Sequence, residues 1–179
     1  MPHAVTILAD GFEEIEAVTV IDLLRRGGID VTILGLDGTE VRGAHDIWVL
    51  ADMALRDFSG VFDALVLPGG MPGTNNLAAS EEVLEMVRMA YNRGKTCAAI
   101  CSAPMVFARA GILDGKKATC YPGCEAMLAG AQLSEDAVVV DGNIITSRAV
   151  GTAIQFALKL VTVMAGKDAA KKINTAILH

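Results

Sequence analysis

Two hydrophobic periods alternate along this chain. Residues 3–9, His-Ala-Val-Thr-Ile-Leu-Ala, form a continuous apolar run that stops at Asp10-Gly11, the pattern of a strand buried on both faces. From Phe12 to Arg26 the spacing becomes helical, with Ala17, Val20, Ile21 and Leu24 on one face and Gly27-Gly28 as the stop. A second strand from Asp30 to Gly35 follows at once. These three segments predict a βαβ unit, and hence a parallel strand pair with a right-handed crossover.

Further on, the segments shorten before the strand–helix alternation resumes. Asp37-Gly38 reads as a turn, and Glu40-Val41-Arg42 with Asp46 to Leu50 predicts a β hairpin at a sheet edge. Ala64 to Leu67 is a strand running into Pro68-Gly69-Gly70-Met71-Pro72-Gly73, which has the glycine content of a tight turn. Ser80 to Arg93 is a helix with Val83, Leu84, Val87 and Tyr91 inward and Glu81 and Glu82 in its first turn. Lys117 to Cys120 is a short strand, and Ala137–Val140 and Asn143–Thr146 flank the hairpin turn Asp141-Gly142. A helix from Thr152 to Ala165, with Ala153, Phe156, Ala157, Leu160 and Met164 inward, precedes a last helix from Lys167. The fold class is α/β with a mostly parallel sheet.

One stretch carries distinctive chemistry. Lys95 to Ile100 reads as a buried strand, and Pro104 to Ala110 as a helix opening with proline in its first turn, so Cys101 sits at a sharp strand-to-helix bend. Ala99 and Ala103 supply the small neighbours that such a bend needs, and the spacing is that of a nucleophile elbow with sulfur in place of a hydroxyl. A helix start facing the thiol would lower its pKa and make it nucleophilic and oxidisable. The alternative reading is a small buried hydrophobe. Ligands in open parallel sheets bind beyond the carboxyl ends of strands, where Asp10 to Glu16, Gly69-Gly70 and Cys101 all fall. Gly70 and Ser102 are the candidate backbone donors to a developing oxyanion.

The acidic residues and histidines refine this. Glu13 and Glu14 read as solvated partners of the helix dipole. Glu16, one turn further in, is either an ordinary surface residue or a group facing Cys101; in the second case burial would raise its pKa and let it serve the sulfur as a proton donor. The only histidines are His3, His45 and His179. His45 lies in the edge hairpin, where reaching Cys101 needs another subunit, so a protease-like Cys-His pair within one chain is disfavoured.

Composition bounds the rest. With 179 residues and 53% of them hydrophobic, the chain suits a single domain over residues 1–179. The formal net charge is −6, and no cationic cluster exceeds a pair such as Lys116-Lys117 or Lys171-Lys172, which argues against a nucleic-acid partner. No apolar run approaches the ~18 residues of a membrane span, and Met1-Pro2-His3-Ala4 lacks the basic start of a signal peptide, so a cytoplasmic protein with no membrane binding is expected. Cys97/Cys101 and Cys120/Cys124 have three residues between members rather than the two of zinc knuckles, so no metal site is expected. Cys120 reads as a structural thiol or as a resolving partner for an oxidised Cys101.

The motifs Ala9-Asp10-Gly11-Phe12-Glu13-Glu14-Ile15-Glu16, Leu67-Pro68-Gly69-Gly70, Ala98-Ala99-Ile100-Cys101-Ser102-Ala103-Pro104 and Thr146-Ser147-Arg148 ahead of Gly151-Thr152 together resemble the ThiJ/PfpI superfamily, in the branch of bacterial YajL and the parkinsonism-associated human protein. The resemblance spans essentially the whole chain. It implies a flavodoxin-like three-layer α/β/α sandwich, a homodimer, a Cys101 thiolate paired with protonated Glu16, and the Gly70 and Ser102 amides as the anion site. It also implies cofactor-free action on small α-oxoaldehydes or their adducts, of the glyoxalase or deglycase kind. The alternative it implies is a non-catalytic oxidative-stress sensor or redox-regulated chaperone acting through Cys101 oxidation. This chain departs from the family at Tyr121, where many members carry histidine, and at His45, where the human relative has a partner-subunit arginine.

Overall fold

The computed structural model describes residues 1–179. The first strand, β1 (His3–Leu8), is followed by α1 (Glu14–Arg26) and by β2 (Asp30–Gly35), which pairs with β1 in parallel from His3 opposite Asp30 to Leu8 opposite Gly35. Next come β3 (Glu40–Arg42), β4 (Trp48–Leu50) and β5 (Met53–Ala54). The expected hairpin forms from β3 and β4, but as a separate two-stranded sheet; β5 takes the edge position beside β2. Backbone bonds explain the displacement. The Gly11 N–H donates to the Arg42 carbonyl at 2.7 Å and the Ala44 N–H to the Phe12 carbonyl at 2.8 Å, so the hairpin is drawn over the loop that follows β1.

The chain continues through β6 (Ala64–Leu67), α2 (Gly73–Ala79), α3 (Glu81–Asn92), β7 (Thr96–Ile100) and α4 (Pro104–Arg109). Then follow β8 (Lys117–Ala118), β9 (Gln132–Leu133), β10 (Val138–Asp141), β11 (Ile144–Ser147), α5 (Ala153–Ala165) and α6 (Lys167–Ala176). The main sheet runs β10-β11-β7-β6-β1-β2-β5, parallel throughout except for the β10–β11 hairpin, which gives the flavodoxin-like arrangement. The short helix α2 has no counterpart in the sequence reading, because Gly73-Thr74-Asn75-Asn76 carries no apolar period. No helix is long and apolar enough to cross a membrane.

Alternation along the strands divides the interior into two apolar layers. Val5 and Ile7 of β1 point to the layer under α3 and α4, which contribute Val83, Val87, Val106 and Phe107. Ala4 and Leu8 point to the layer under α1 and α5, which contribute Val20, Leu24, Phe156 and Leu160. Tyr91 and Met164, expected inward, are only half-buried; Ala90 and Val161 are fully buried in their helices. The bulkier side chains lie at the margin and the smaller ones face the sheet.

From β1 the chain goes first to β2 on one side and then to β6 on the other, which opens a crevice at the carboxyl ends of β1 and β6. The loops leaving these two strands pack backbone against backbone. Gly11 and Gly70 have φ of +88° and +94°. A Cβ on Gly11 would lie 2.6 Å from the Pro72 nitrogen, and one on Gly70 would lie 2.6 Å from the Gly11 carbonyl oxygen. Only hydrogen fits at either position. Gly11→Ala is therefore expected to lower the unfolding free energy by ~2 kcal/mol or more, read from urea denaturation; an unchanged midpoint would mean that the two loops are not locked together.

Candidate active site

Cys101 directly follows β7 and has a φ of +63°, a left-handed conformation uncommon outside glycine. The bend is held from both sides: the Cys101 N–H donates to the Ser147 carbonyl at 3.0 Å, and the Tyr121 N–H donates to the Cys101 carbonyl at 2.8 Å. Ala99 and Ala103 are fully buried where the strand and the following turn meet. Such a conformation costs on the order of 1–3 kcal/mol and leaves the half-buried side chain projecting into the crevice between β6 and β1.

Glu16 reaches the same place from α1. Its side chain is 0% exposed, and Oε2 accepts the Gly69 N–H at 2.8 Å while Oε1 is buried without a hydrogen-bond partner. Gly69 lies between the two functional side chains. A Cβ there would fall 2.6 Å from the Cys101 Cβ and 2.8 Å from Glu16 Oε2, so the absent side chain is what allows sulfur and carboxyl to meet.

Burial pushes the Glu16 carboxyl up to about 7, against the Gly69 amide and Cys101, which favour its charged form. Burial likewise pushes the Cys101 thiol up to about 12, reinforced by the charge of Glu16 and by hydrogen bonding to it, while the backbone amides of Ser102 and Gly70 pull the thiol down. This corrects the expectation of a thiol depressed by a helix start. The helix after Cys101 has only six residues and its N-cap is Ala103, so the dipole offers little at the sulfur. The thiol stays high as long as Glu16 is ionised. When Glu16 holds the proton, its repulsion disappears and burial of the thiol is opposed by the two amides alone.

The structure thus brings Cys101, Glu16, Gly70 and Ser102 together. Ser102 is buried, with its hydroxyl 2.7 Å from that of Thr74 in α2, which fixes the residue whose amide meets the sulfur. Tyr121 joins through its backbone, and its side chain is exposed. His45 is elsewhere: its exposed ring lies 2.9 Å from Glu14 Oε2 and 3.7 Å from Glu13 Oε2, and the hydrogen bond to Glu14 is the largest cause of its raised pKa. Glu13, Glu14 and His45 bring potential ligand atoms within 4.8 Å of one another, and the ion pair already engages them. Cys97 and Cys120 are buried free thiols, pushed up to about 12 and about 11 by burial.

Sequence reasoning misplaced two acids: the Glu13 side chain is only 14% exposed, and Glu14 is buried more deeply. Glu14 is not solvated but 4% exposed, and its Oε1 accepts the His45 N–H at 2.6 Å, which pins the β3–β4 hairpin to α1. Glu14 lies three and seven residues before the buried Ala17 and Ile21, and Glu16 four and eight before the buried Val20 and Leu24. Both acids therefore interrupt an apolar helical stripe, which was the available signal. Thr74 had no comparable signal, and Gly69 reads only as part of the glycine loop at the ligand edge; its contact to Glu16 has no local signal.

Comparisons with known proteins identify the family and the fold. The model of the DJ-1/PfpI family matches residues 2–163. Protein dj-1beta of Drosophila melanogaster is 41% identical over 179 residues, covering 98% of this chain and 96% of the relative. Its crystal structure superimposes with a TM-score of 0.96, covering 99% of this chain and 97% of that one. Oxidised DJ-1 of Toxoplasma gondii gives a TM-score of 0.96 at 35% identity, over 100% and 99% of the two chains. A Caenorhabditis elegans relative named glutathione-independent glyoxalase DJR-1.2 is 33% identical over 159 residues, 87% of this chain and 84% of its own length. With its elbow cysteine, buried glutamate and flavodoxin-like sheet, this chain belongs to the DJ-1/PfpI family.

Proposed function

We propose that this protein is a cofactor-free, cysteine-dependent stress-response enzyme that converts small α-oxoaldehydes, or their adducts, through Cys101 and Glu16. The observation that carries the reading is the pair itself: a half-exposed sulfur flanked by the Ser102 and Gly70 amides, against a buried carboxyl raised to about 7. Transfer of the thiol proton to Glu16 creates the nucleophile. Sulfur attacks the aldehyde carbon, the carbonyl electron pair moves to oxygen beside the two amides, and Glu16 returns the proton to that oxygen. The carboxylate then removes the remaining hydrogen of that carbon as a proton, giving an enediol, and returns it to the neighbouring carbon while the hydroxyl proton passes to that carbon's oxygen, which leaves the thioester of a 2-hydroxy acid. Water releases a 2-hydroxy acid and restores the thiol. The net change is an internal redox reaction plus hydration, so no outside oxidant or reductant is needed. The Caenorhabditis elegans relative, named as a glutathione-independent glyoxalase, supports this class.

A second reading has support of its own. The unpartnered Glu16 Oε1 and the two amides at a half-exposed sulfur are a ready donor set for the oxygens of a cysteine sulfinate, and the relative from Toxoplasma gondii has been solved in oxidised form. In that case Cys101 serves as an oxidative-stress sensor. Four free thiols suit the reducing cytoplasm, where both readings place the protein.

The apolar surface supports a homodimer. Ile15 and Val18 on α1 and Ile47, Trp48 and Leu50 on the hairpin are exposed, with Trp48 at 61% and Leu50 at 72%. The Glu14–His45 contact holds these two elements side by side, so the apolar residues form a face of the kind that marks an interaction site. His45 then stands at the rim of the subunit interface.

Methylglyoxal turnover by wild type, with Cys101→Ser losing at least ~10²-fold as expected for removal of a nucleophile, tests the enzyme reading; equal rates would remove it. Peroxide titration followed by intact mass tests the sensor, which requires a gain of two oxygen atoms mapped to Cys101. Glu16→Gln is expected to lose turnover yet gain stability. The folded protein holds a proton that the unfolded chain releases near 4.5, so stability falls as pH rises from there to about 7 and remains lower above it. The variant should match wild type near pH 4 and exceed it at pH 8 by up to ~3 kcal/mol in urea denaturation. For the dimer, combined Trp48→Glu and Leu50→Glu should shift the mass found by light scattering from two chains to one; a wild type that elutes as a monomer would refute that arrangement.

A further inference from the structure

The two amides that flank the Cys101 sulfur belong to different segments: Gly70 lies in the loop after β6, and Ser102 in the turn after β7. Such a pair stabilises charge only if its members keep a fixed spacing, because each donor must aim at the same atom. Toward α1 the first loop is already locked. The Glu13 N–H donates to the Gly69 carbonyl at 2.8 Å, and Gly70 has no room for a Cβ against the Gly11 and Glu13 backbone. Toward the Cys101 turn, the lock is a side chain.

Thr74, the second residue of α2, is 0% exposed, and its N–H donates to the Gly70 carbonyl at 2.9 Å. A threonine hydroxyl in a helix commonly bonds a carbonyl three or four residues back, which here would again engage its own loop. Instead, Thr74 Oγ1 lies 2.7 Å from the Ser102 hydroxyl oxygen, a contact between residues 28 apart in the chain. Thr74 thus grips both donors, Gly70 through the main chain and Ser102 through the side chain. No other hydrogen bond joins residues 68–79 to residues 101–110.

Both hydroxyls are buried, and each has only the other as its side-chain partner. Removing one strands the other in the interior, whereas removing both leaves no unpaired group. We propose that Thr74 is a positioning residue: through its hydroxyl it holds the Ser102 amide in register with the Gly70 amide, so that both donors reach the same charge. This role presupposes that Cys101 is the reacting group. The amides serve charge that develops on sulfur and then on oxygen, so a loosened Ser102 affects kcat more than KM.

Thr74→Val keeps the side-chain shape and the backbone bond to Gly70 but removes the hydroxyl. It should lower kcat for methylglyoxal ~10-fold and leave KM within ~2-fold. The pH midpoint for alkylation of Cys101 by iodoacetamide should rise by ~0.5 unit or more, because the two amides favour thiolate. Thr74→Ser, which retains the hydroxyl, should restore both values to near wild type. Ser102→Ala keeps the amide and cuts the same bond from its other end, so it should reproduce Thr74→Val and carries the test if that variant does not fold. The double variant should be no worse than either single one, since the pair acts as a unit. Alkylation reads the sulfur directly, so it still decides the role of Thr74 if Cys101→Ser turns over methylglyoxal as fast as wild type and the enzyme reading fails. An unshifted midpoint in folded Thr74→Val or Ser102→Ala, or equal impairment of Thr74→Ser and Thr74→Val, would overturn the proposal.

Discussion

The hydrogen bond from the Gly69 amide to Glu16 is the constraint on which the site depends, because it holds a carboxyl group in the interior without supplying a countercharge. An arginine or lysine in that place would have kept Glu16 ionised and made it a permanent source of repulsion for the sulfur. A single neutral donor satisfies one oxygen and leaves the other buried without a partner. Burial then keeps the carboxyl protonated up to about neutral pH, so a proton is available where a thiolate or oxyanion needs one.

That arrangement is made by backbone packing more than by side chains. The loop after β1 delivers Glu16 by way of α1, the loop after β6 delivers the Gly69 and Gly70 amides, and the bend after β7 delivers the sulfur. The three segments come from adjacent strands of one parallel sheet. They approach so closely that Gly11, Gly69 and Gly70 have no room for a Cβ. The strain at Cys101 is supported in the same way, by strand β11 accepting its N–H and by the Tyr121 segment donating to its carbonyl. Tyr121 contributes to this support through its backbone, so the identity of its side chain leaves the support intact.

Much of this was legible in the sequence, and the failures share a cause. β2 was read to its exact ends, and the remaining strands of the main sheet, apart from the two-residue edge strand β5, were located because continuous apolar runs between glycine-rich turns have few other solutions. The bend at Cys101 followed from small residues on both sides and a proline at the next helix start. Glu14 and Glu16 were harder to judge, since an acid at a helix start has a sufficient explanation in the helix dipole; their place on the apolar stripe of α1 was the stronger fact. The hairpin's detachment from the sheet edge and the role of Thr74 depend on contacts between distant segments. No local pattern encodes those contacts.

The pKa correction at Cys101 shows why the partition of labour in the site is between two groups and not one. A thiolate stabilised solely by a helix start would be ionised at all times, reactive toward any electrophile or oxidant that reached it. Here the charge appears on sulfur only when Glu16 takes the proton, and Glu16 is the group positioned to return it. Nucleophile and acid are thus generated in the same event, so addition to a carbonyl can be completed by proton delivery to the new oxygen without bulk water taking part. The same coupling bears on oxidation: a sulfinate at Cys101 would place permanent negative charge beside the carboxyl and hold Glu16 in its protonated form, converting a mobile proton into a fixed hydrogen bond. The two proposed roles would therefore draw on one physical arrangement and differ in whether the proton is free to leave.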